Sequence, residues 1–463
     1  LALGVLSPLV VAAIALATKP WVPVLDMAMT ELRVRDVGGR HTPLVGLPGR
    51  IGQTIQEQGS HPGPWSFYLV APFYRLAGAR AWGMELASCV INAAVVAATV
   101  AIGARRFGPR GALAFAAIAA VAVRGYGPNV LTHPWNPYFP VLLWLLGLLA
   151  AWLVLDGWHW LAVLVVALTS VAAQTHLPYL PNAIVLDALV LAVVAWRVRR
   201  DRAPSRPLLV AVGVGAALWL PPFVEQVVRS PGNIGKLVRH FTTEQPEPAI
   251  GIGPAAKLVL QHLDWFSLTI DLVGRKDAFV HRAGVAGDPV HGVNVGGLLV
   301  LALWVSAAAW AWQHRHRLLL ALHAVITATL VSAFVSSTRI FGKVWFYLTL
   351  WLSGTALLML LAILATAWLV LRERDLPARW PHVRVAALAV IGAATVASVV
   401  AAIGQAPPEQ GQGQAVHDVL PDLRAALPRD ARYVVFWQES VVPGSQGYAV
   451  LNELERHGYD VGV

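Results

Sequence analysis

Of the 463 residues, 57% are hydrophobic and 13% charged, with a mean hydropathy of +0.61, whereas soluble domains carry about a quarter charged residues. A single soluble globular fold is excluded, and at roughly 20 apolar residues per span the length holds about ten membrane helices and a modest amount of chain outside the bilayer. Thirty-five Lys and Arg against 25 Asp and Glu give a net charge of +10, which in a membrane protein reports first on the sidedness of the loops. The single cysteine, Cys89, lies in an apolar run and excludes an intrachain disulfide. The chain opens in an apolar run without an initiator Met, which suggests that residues precede Leu1. A cleaved signal peptide fits less well, because Ala-Thr-Lys-Pro after that run does not lead into a soluble domain.

Apolar runs predict eleven spans, near 1–18, 83–104, 111–123, 138–155, 159–175, 179–197, 208–222, 295–312, 318–336, 344–370 and 385–403. With the amino end cytoplasmic, the cytoplasmic connections are Arg105–Arg110, Asp156–Trp158, Arg197–Arg206, His314–Arg317 and Arg372–Arg384, which hold 14 Arg against the four acids Asp156, Asp201, Glu373 and Asp375. That is the positive-inside pattern. A multi-pass protein of the plasma (inner) membrane follows, with outer loops at 19–82, 124–137, 223–294 and 337–343 and an outer carboxyl-terminal segment, 404–463. In that segment Gln405–Gln414 reads as a linker, Tyr433–Trp437 as a strand, Gly447–His457 as a helix and Tyr459–Val463 as the start of a second strand. The fold class is therefore an all-α polytopic membrane protein with juxtamembrane helices and a small, partial α/β module. The Ala, Arg, Val and Gly richness hints at a GC-rich bacterium.

Ionisable residues inside a span are costly and mark coupling sites in transporters. Here only Asp187 and His323 stand out, and each has an ordinary role available as a hydrogen-bonded residue of the bundle. The polar chemistry lies in the outer loops. Asp26 follows the first span at the start of a short helix, with Glu31, Arg33, Arg35 and Asp36 behind it. An acid there caps the helix and favours its dipole, and the same geometry would hold a carboxylate rigidly at the mouth of a membrane-level cavity. Farther on, Gln58-Gly-Ser-His61-Pro-Gly-Pro-Trp65-Ser-Phe-Tyr68 leads into an aromatic amphipathic helix suited to the interface.

These residues carry a resemblance. An Asp just after the first span, an acid-plus-Arg helix behind it and a His-Pro-x-Pro turn before the second span are similar to membrane glycosyltransferases of the GT-C fold, of the protein O-mannosyltransferase and aminoarabinose transferase type. The resemblance covers most of the chain in architecture. It implies a polyprenyl-phosphate-linked sugar donor, a catalytic base in the first outer loop, and inversion at the anomeric carbon. The usual Asp-Glu pair is absent, since Met27 follows Asp26 and the next acid is Glu31, so both Asp26 and Glu31 stand as candidates for the base.

The second outer loop, Arg124-Gly-Tyr-Gly-Pro-Asn-Val-Leu-Thr-His133-Pro-Trp135-Asn136-Pro-Tyr138, has three prolines and two glycines. Irregular backbone at membrane depth is tolerated where it is buried in protein or lines a wet cavity, so His133, Trp135 and Asn136 are candidate substrate contacts beside His61; an interfacial aromatic turn is the alternative. His176, after the fifth span, reads as a boundary residue. Between the ninth and tenth spans, Arg339 and Lys343 oppose the topology rule in a very short loop. They are candidate ligands for the donor phosphate, with Tyr347 beside them, and headgroup anchoring is the alternative. Most of Arg33, Arg35, Arg40 and Arg50 read as solvated.

The third loop predicts an interfacial helix over 253–273. His240, His262, His281 and His291 lack metal-ligand spacing. No cofactor is evident, a divalent-cation requirement stays open, and no nucleotide fingerprint, Ser-His-Asp pattern or nucleic-acid motif occurs. The expected activity is transfer of a sugar from a polyprenyl-phosphate donor to a hydroxyl of a glycan, lipid or protein acceptor on the outer face. The alternatives are a transporter or flippase of lipid-linked envelope precursors and a non-enzymatic membrane scaffold.

Overall fold

In the computed structural model the described residues are 1–52, 54, 57–283, 294–373, 380–437 and 446–462. His291, Arg374, Asp375 and Arg379, which entered the loop and charge assignments, lie outside them. The described chain is dominated by helix. It starts with α1 (Ala2–Ala17), α2 (Leu25–Asp36), α3 (Trp65–Leu76) and the 45-residue α4 (Trp82–Tyr126), followed by the one-turn α5 (Pro128–Leu131). Next come α6 (Val141–Leu155), α7 (Leu161–Thr175), α8 (Leu180–Arg200), α9 (Arg206–Leu218) and α10 (Leu220–Val228). The third loop holds α11 (Asn233–Thr242), α12 (Ile252–Leu263), α13 (Trp265–Gly274) and α14 (Ala278–Arg282). Then follow α15 (Val295–Gln313), α16 (Arg317–Ser337), α17 (Leu352–Glu373), α18 (Trp380–Ile403) and α19 (Gln410–Ala426). The chain closes with β1 (Arg432–Val434), α20 (Gly447–Arg456) and β2 (Asp460–Gly462), the two strands pairing in parallel.

Six described helices are long and apolar enough to cross a membrane, or seven with α9 and α10 taken as one span bent by 42°. The protein is a polytopic membrane protein. α4 counts once in that number, yet it is a hairpin of two arms. Gly108 leaves helical geometry at φ 65°, ψ −150° with Pro109 behind it, and a Cβ on Gly111 would stand 2.1 Å from the Gly103 carbonyl oxygen. Eight residues of straight helix span about 12 Å, so that contact requires the arms to fold back on each other. α1, α6 and α7 fill predicted runs but are shorter, at 16, 15 and 15 residues.

Every residue of α6 is buried. It is the hub, packed by α4, α7, α8, α16 and α17, while α1, α4 and α18 form a second group beside it. The α9–α10 bend follows from Pro221 and Pro222, which supply no backbone N–H. The Leu218 carbonyl freed at the break accepts instead from the Trp65 indole at 2.7 Å and the Gln174 amide at 2.9 Å.

Three boundaries differ from the sequence reading. The run at 344–370 becomes helix α17 only at Leu352, because residues 345–348 form an aromatic turn caught against the second loop. The single helix read over 253–273 is two, since Asp264 accepts from the Ser267 N–H at 3.1 Å and its hydroxyl at 2.7 Å and so starts a new helix. Residues 410–414, read as linker, are the first turn of α19.

Candidate functional site

The short segment after α1 runs through Trp21–Val24, all buried, to Leu25, which adopts φ 53°. This left-handed residue opens α2 and puts Asp26 in its first turn. One Asp26 carboxylate oxygen accepts from the Trp135 indole N–H at 2.6 Å. Trp135 is supplied by the proline-rich loop beyond α5, where its own backbone N–H donates to His133 Nδ1 at 3.2 Å.

From Trp135 the site runs through aromatic rings. Its indole meets Tyr138 at 4.8 Å and Tyr347 at 5.2 Å, both edge-on. Tyr347 lies parallel to Trp345 at 6.0 Å, and Trp345 carries two cations, the Arg50 guanidinium at 4.3 Å and the Lys343 ammonium at 4.6 Å. Both cations are exposed, whereas the Trp345 indole N–H is buried without a hydrogen-bond partner among the described residues.

Arg50 sits on a small antiparallel hairpin, with Pro48 bridging Ser60 and Gly49 N–H donating to the Gly59 carbonyl at 2.9 Å. His61 is on the returning arm, bonded through its backbone to Gly46 and Leu47. Its Nδ1 accepts from the Leu177 N–H at 3.1 Å, and its ring lies 5.1 Å from His176, which in turn is 6.1 Å from Tyr347. Asp26, His61, His133, Trp135 and Tyr347 are thus brought into one continuous assembly from three connections between the long helices. Asn136 is buried in the same second loop. His176, read as a boundary residue, joins the assembly between His61 and Tyr347.

Arg339 and Lys343 face different rings. The Arg339 guanidinium donates to the Phe241 carbonyl at 3.3 Å and lies 5.8 Å from the Phe341 ring. It lines an open cavity of about 480 Å³ with Glu244 and Glu247. There residues 338–342 pair with 248–251, the Ile250 N–H donating to the Ile340 carbonyl at 2.9 Å. Glu31 is fully buried on α2, where one oxygen accepts from the Tyr74 hydroxyl at 2.8 Å and pairs with Arg456.

Electrostatics divide these groups. Burial pushes the Asp26 carboxyl above the usual carboxylate range, against the Trp135 hydrogen bond and the Arg50 charge, which pull it down. Burial lowers His61 to about 4 and His133 to about 3, so both are neutral at neutral pH and the cationic work falls to Arg50 and Lys343. Burial raises Tyr347, with Arg50 opposing and Asp26 adding to the rise. Among the described residues no group of three or more His, Cys, Asp or Glu could hold a metal.

Arg50 is the residue passed over on sequence. Its signal was the pattern Leu47-Pro-Gly-Arg-Ile-Gly52, a cation flanked by glycines that allow a tight turn; Gly52 has φ 86°.

No family model matches the chain, and no curated protein matches it. Solved structures do. ArnT from Cupriavidus metallidurans in the apo state aligns at 15% identity and a TM-score of 0.53, over 97% of this chain and 84% of that one. The same protein bound to undecaprenyl phosphate aligns at 14% identity and a TM-score of 0.56, over 99% and 85%. The chain has the ArnT fold. The GT-C architecture expected from the first loop is therefore the architecture present.

Proposed function

We propose that the protein is a membrane glycosyltransferase of the GT-C type that moves a sugar from a polyprenyl-phosphate donor to an acceptor hydroxyl on the outer face of the inner membrane. The observation that carries this reading is a carboxylate joined to a two-cation aromatic platform: Asp26 on Trp135, Trp135 on Tyr347, Tyr347 on Trp345, and Arg50 and Lys343 both on Trp345. A neighbour in fold that binds undecaprenyl phosphate supports the donor class.

In this reading Asp26 accepts the acceptor's hydroxyl proton as that oxygen attacks the anomeric carbon. The bond from the anomeric carbon to the phosphate oxygen breaks, and polyprenyl phosphate leaves as a stable anion without a general acid. Arg50 and Lys343 stabilise the charge that develops there. A single displacement inverts the anomeric configuration. Arg339, the other phosphate candidate, is assigned a lesser part because Glu244 and Glu247 share its cavity. Glu31 is assigned to holding α2, since it is wholly enclosed and already paired. His61, His133 and Asn136 are assigned to shaping the pocket.

The transporter alternative is disfavoured because Asp187 has an ordinary partner within the bundle, the Thr169 hydroxyl at 2.8 Å. The deciding experiment is release of polyprenyl phosphate by the purified protein from a polyprenyl-phosphate sugar. Release that requires an acceptor supports the transferase, and lipid movement across vesicles without bond cleavage refutes it.

Two predictions follow from this placement. With an odd number of spans and the amino end inside, cysteines introduced singly at Ser205 and Asp430 in a Cys89→Ala background should react with an impermeant reagent in intact cells only at 430. The reverse labelling overturns the orientation. Because Asp26 must be ionised to act and burial raises its pKa, kcat/KM should fall on acidification along a limb above the usual carboxylate value of about 4. A pH profile flat down to that value removes Asp26 from the role.

A further inference from the structure

Among the described residues the carboxyl-terminal module touches none of the groups just assigned to the chemistry, yet it is fastened to the helix that carries Asp26. Asn452 of α20 donates its side-chain amide to the Ala28 carbonyl at 2.8 Å, and its oxygen accepts from Arg35 at 3.3 Å. Glu455 pairs with Arg35 at 2.8 Å. Arg456 reaches the buried Glu31, which is also held from α3 by Tyr74. Beneath these contacts Val416 and Leu420 of α19 and Ala449 of α20 pack with Val22, Val24 and Ala28, and Leu25 leans on that cluster. α19 lies so close that a Cβ on Gly413 would stand 2.4 Å from the Val22 carbonyl oxygen.

Ala28, Glu31 and Arg35 are spaced three and four residues apart and so form one stripe of α2. At about 100° per residue, Asp26 lies roughly opposite that stripe, on the side that meets Trp135. The module therefore grips the back of the helix whose front presents the carboxylate. Leu25, one residue before Asp26, is in the left-handed region at φ 53°, a conformation that persists only where surrounding contacts over-determine it.

We propose that α20, through Arg456 and Asn452, is a positioning device for the reaction: it holds α2 and the strained turn at Leu25 so that Asp26 meets the Trp135 indole and the acceptor hydroxyl. This rests on the glycosyltransferase reading. The module adds no reacting group, and Arg456 is a positioning residue. Arg50, Lys343 and Trp345 come from other segments, so donor binding does not depend on the grip.

The test uses the full chain in lipid nanodiscs, with Arg456→Met, Arg456→Lys and Asn452→Ala beside the parent and an Asp26→Asn control. Amide exchange across Leu25–Asp36 reads the hold on α2 without reference to activity. In Arg456→Met that exchange should quicken, kcat should fall about ten- to hundredfold, and KM for a polyprenyl-phosphate sugar should stay near the parent value. The acid limb of the rate profile should also move down. Asp26 is faced by Trp135, Arg50 and Tyr347, with His133 behind Trp135, and burial is the largest influence on it. Loosening the helix admits water and relieves that burial. Arg456→Lys should retain most of the rate. Asn452→Ala should show the same pattern in milder form, and it decides the matter if Arg456→Met fails to fold with Glu31 left unpaired.

An unchanged kcat and acid limb in folded variants overturns the proposal, whether or not α2 exchanges faster. Should Asp26→Asn turn over as fast as the parent, the transferase reading fails at Asp26, and quickened exchange in Arg456→Met would still show that α20 holds α2.

Discussion

Asp26→Asn should reduce turnover by about two to four orders of magnitude, the usual cost of losing a general base, with donor affinity and folding close to the parent. Asparagine keeps the shape and can still accept the Trp135 hydrogen bond through its amide oxygen, so the Trp135–Tyr347–Trp345 platform should survive. What it lacks is the ability to take a proton from the acceptor hydroxyl. Single-turnover rates on monodisperse protein, with donor affinity measured in parallel, separate chemistry from binding. Glu31→Gln is the informative partner. It removes one of the two carboxylate charges that meet Arg456, which keeps Glu453, while Tyr74 keeps an acceptor, so it should lower thermal stability more than the rate per folded molecule. If Asp26→Asn is active and Glu31→Gln is inert while folded, the base is Glu31.

The second large effect concerns the donor phosphate. Arg50→Ala should weaken donor binding and lower the rate, since a charge-assisted contact of about 1.5–3 kcal/mol corresponds to roughly ten- to hundredfold in affinity. Lys343→Ala should cost less, and Arg50→Lys should rescue in part, because a point charge does not reproduce a two-oxygen fork. Arg339→Ala should leave donor affinity nearer the parent than either. Headgroup anchoring predicts another pattern, in which the Arg50 and Lys343 variants lose expression together and the surviving protein binds donor normally. Unchanged donor affinity in folded Arg50→Ala, with a large loss in Arg339→Ala, would return the phosphate to the Arg339 cavity.

Composition and the placing of its few polar runs establish the class of the molecule and the segments that matter. Composition forces membrane helices, because a chain this apolar has no other way to bury its side chains and satisfy its backbone. Proline and glycine punctuate the connections, so the loop after α5 was legible from its own residues. The first loop marked Asp26 because an acid at the boundary of an apolar run is conspicuous against its background.

Tertiary structure decided which of the marked residues meet. Hydropathy windows do not see that residues 345–348 leave α-helical geometry to meet the Trp135 and Tyr138 rings, since the same aromatics would serve equally well in a span. Arg50 is one of several loop arginines in the sequence and becomes distinct only when the hairpin from Gly46 to His61 lays it on Trp345, some three hundred residues away in the chain. Glu31 and Asp26 are alike as letters. Folding separates them, because the Glu31 side of α2 is covered by α3 and α20 and its charge is met by Arg456, while the Asp26 side is left facing the loops that carry the rings and the two exposed cations. Pairings across hundreds of residues are set by packing of whole elements, and local sequence carries no record of them.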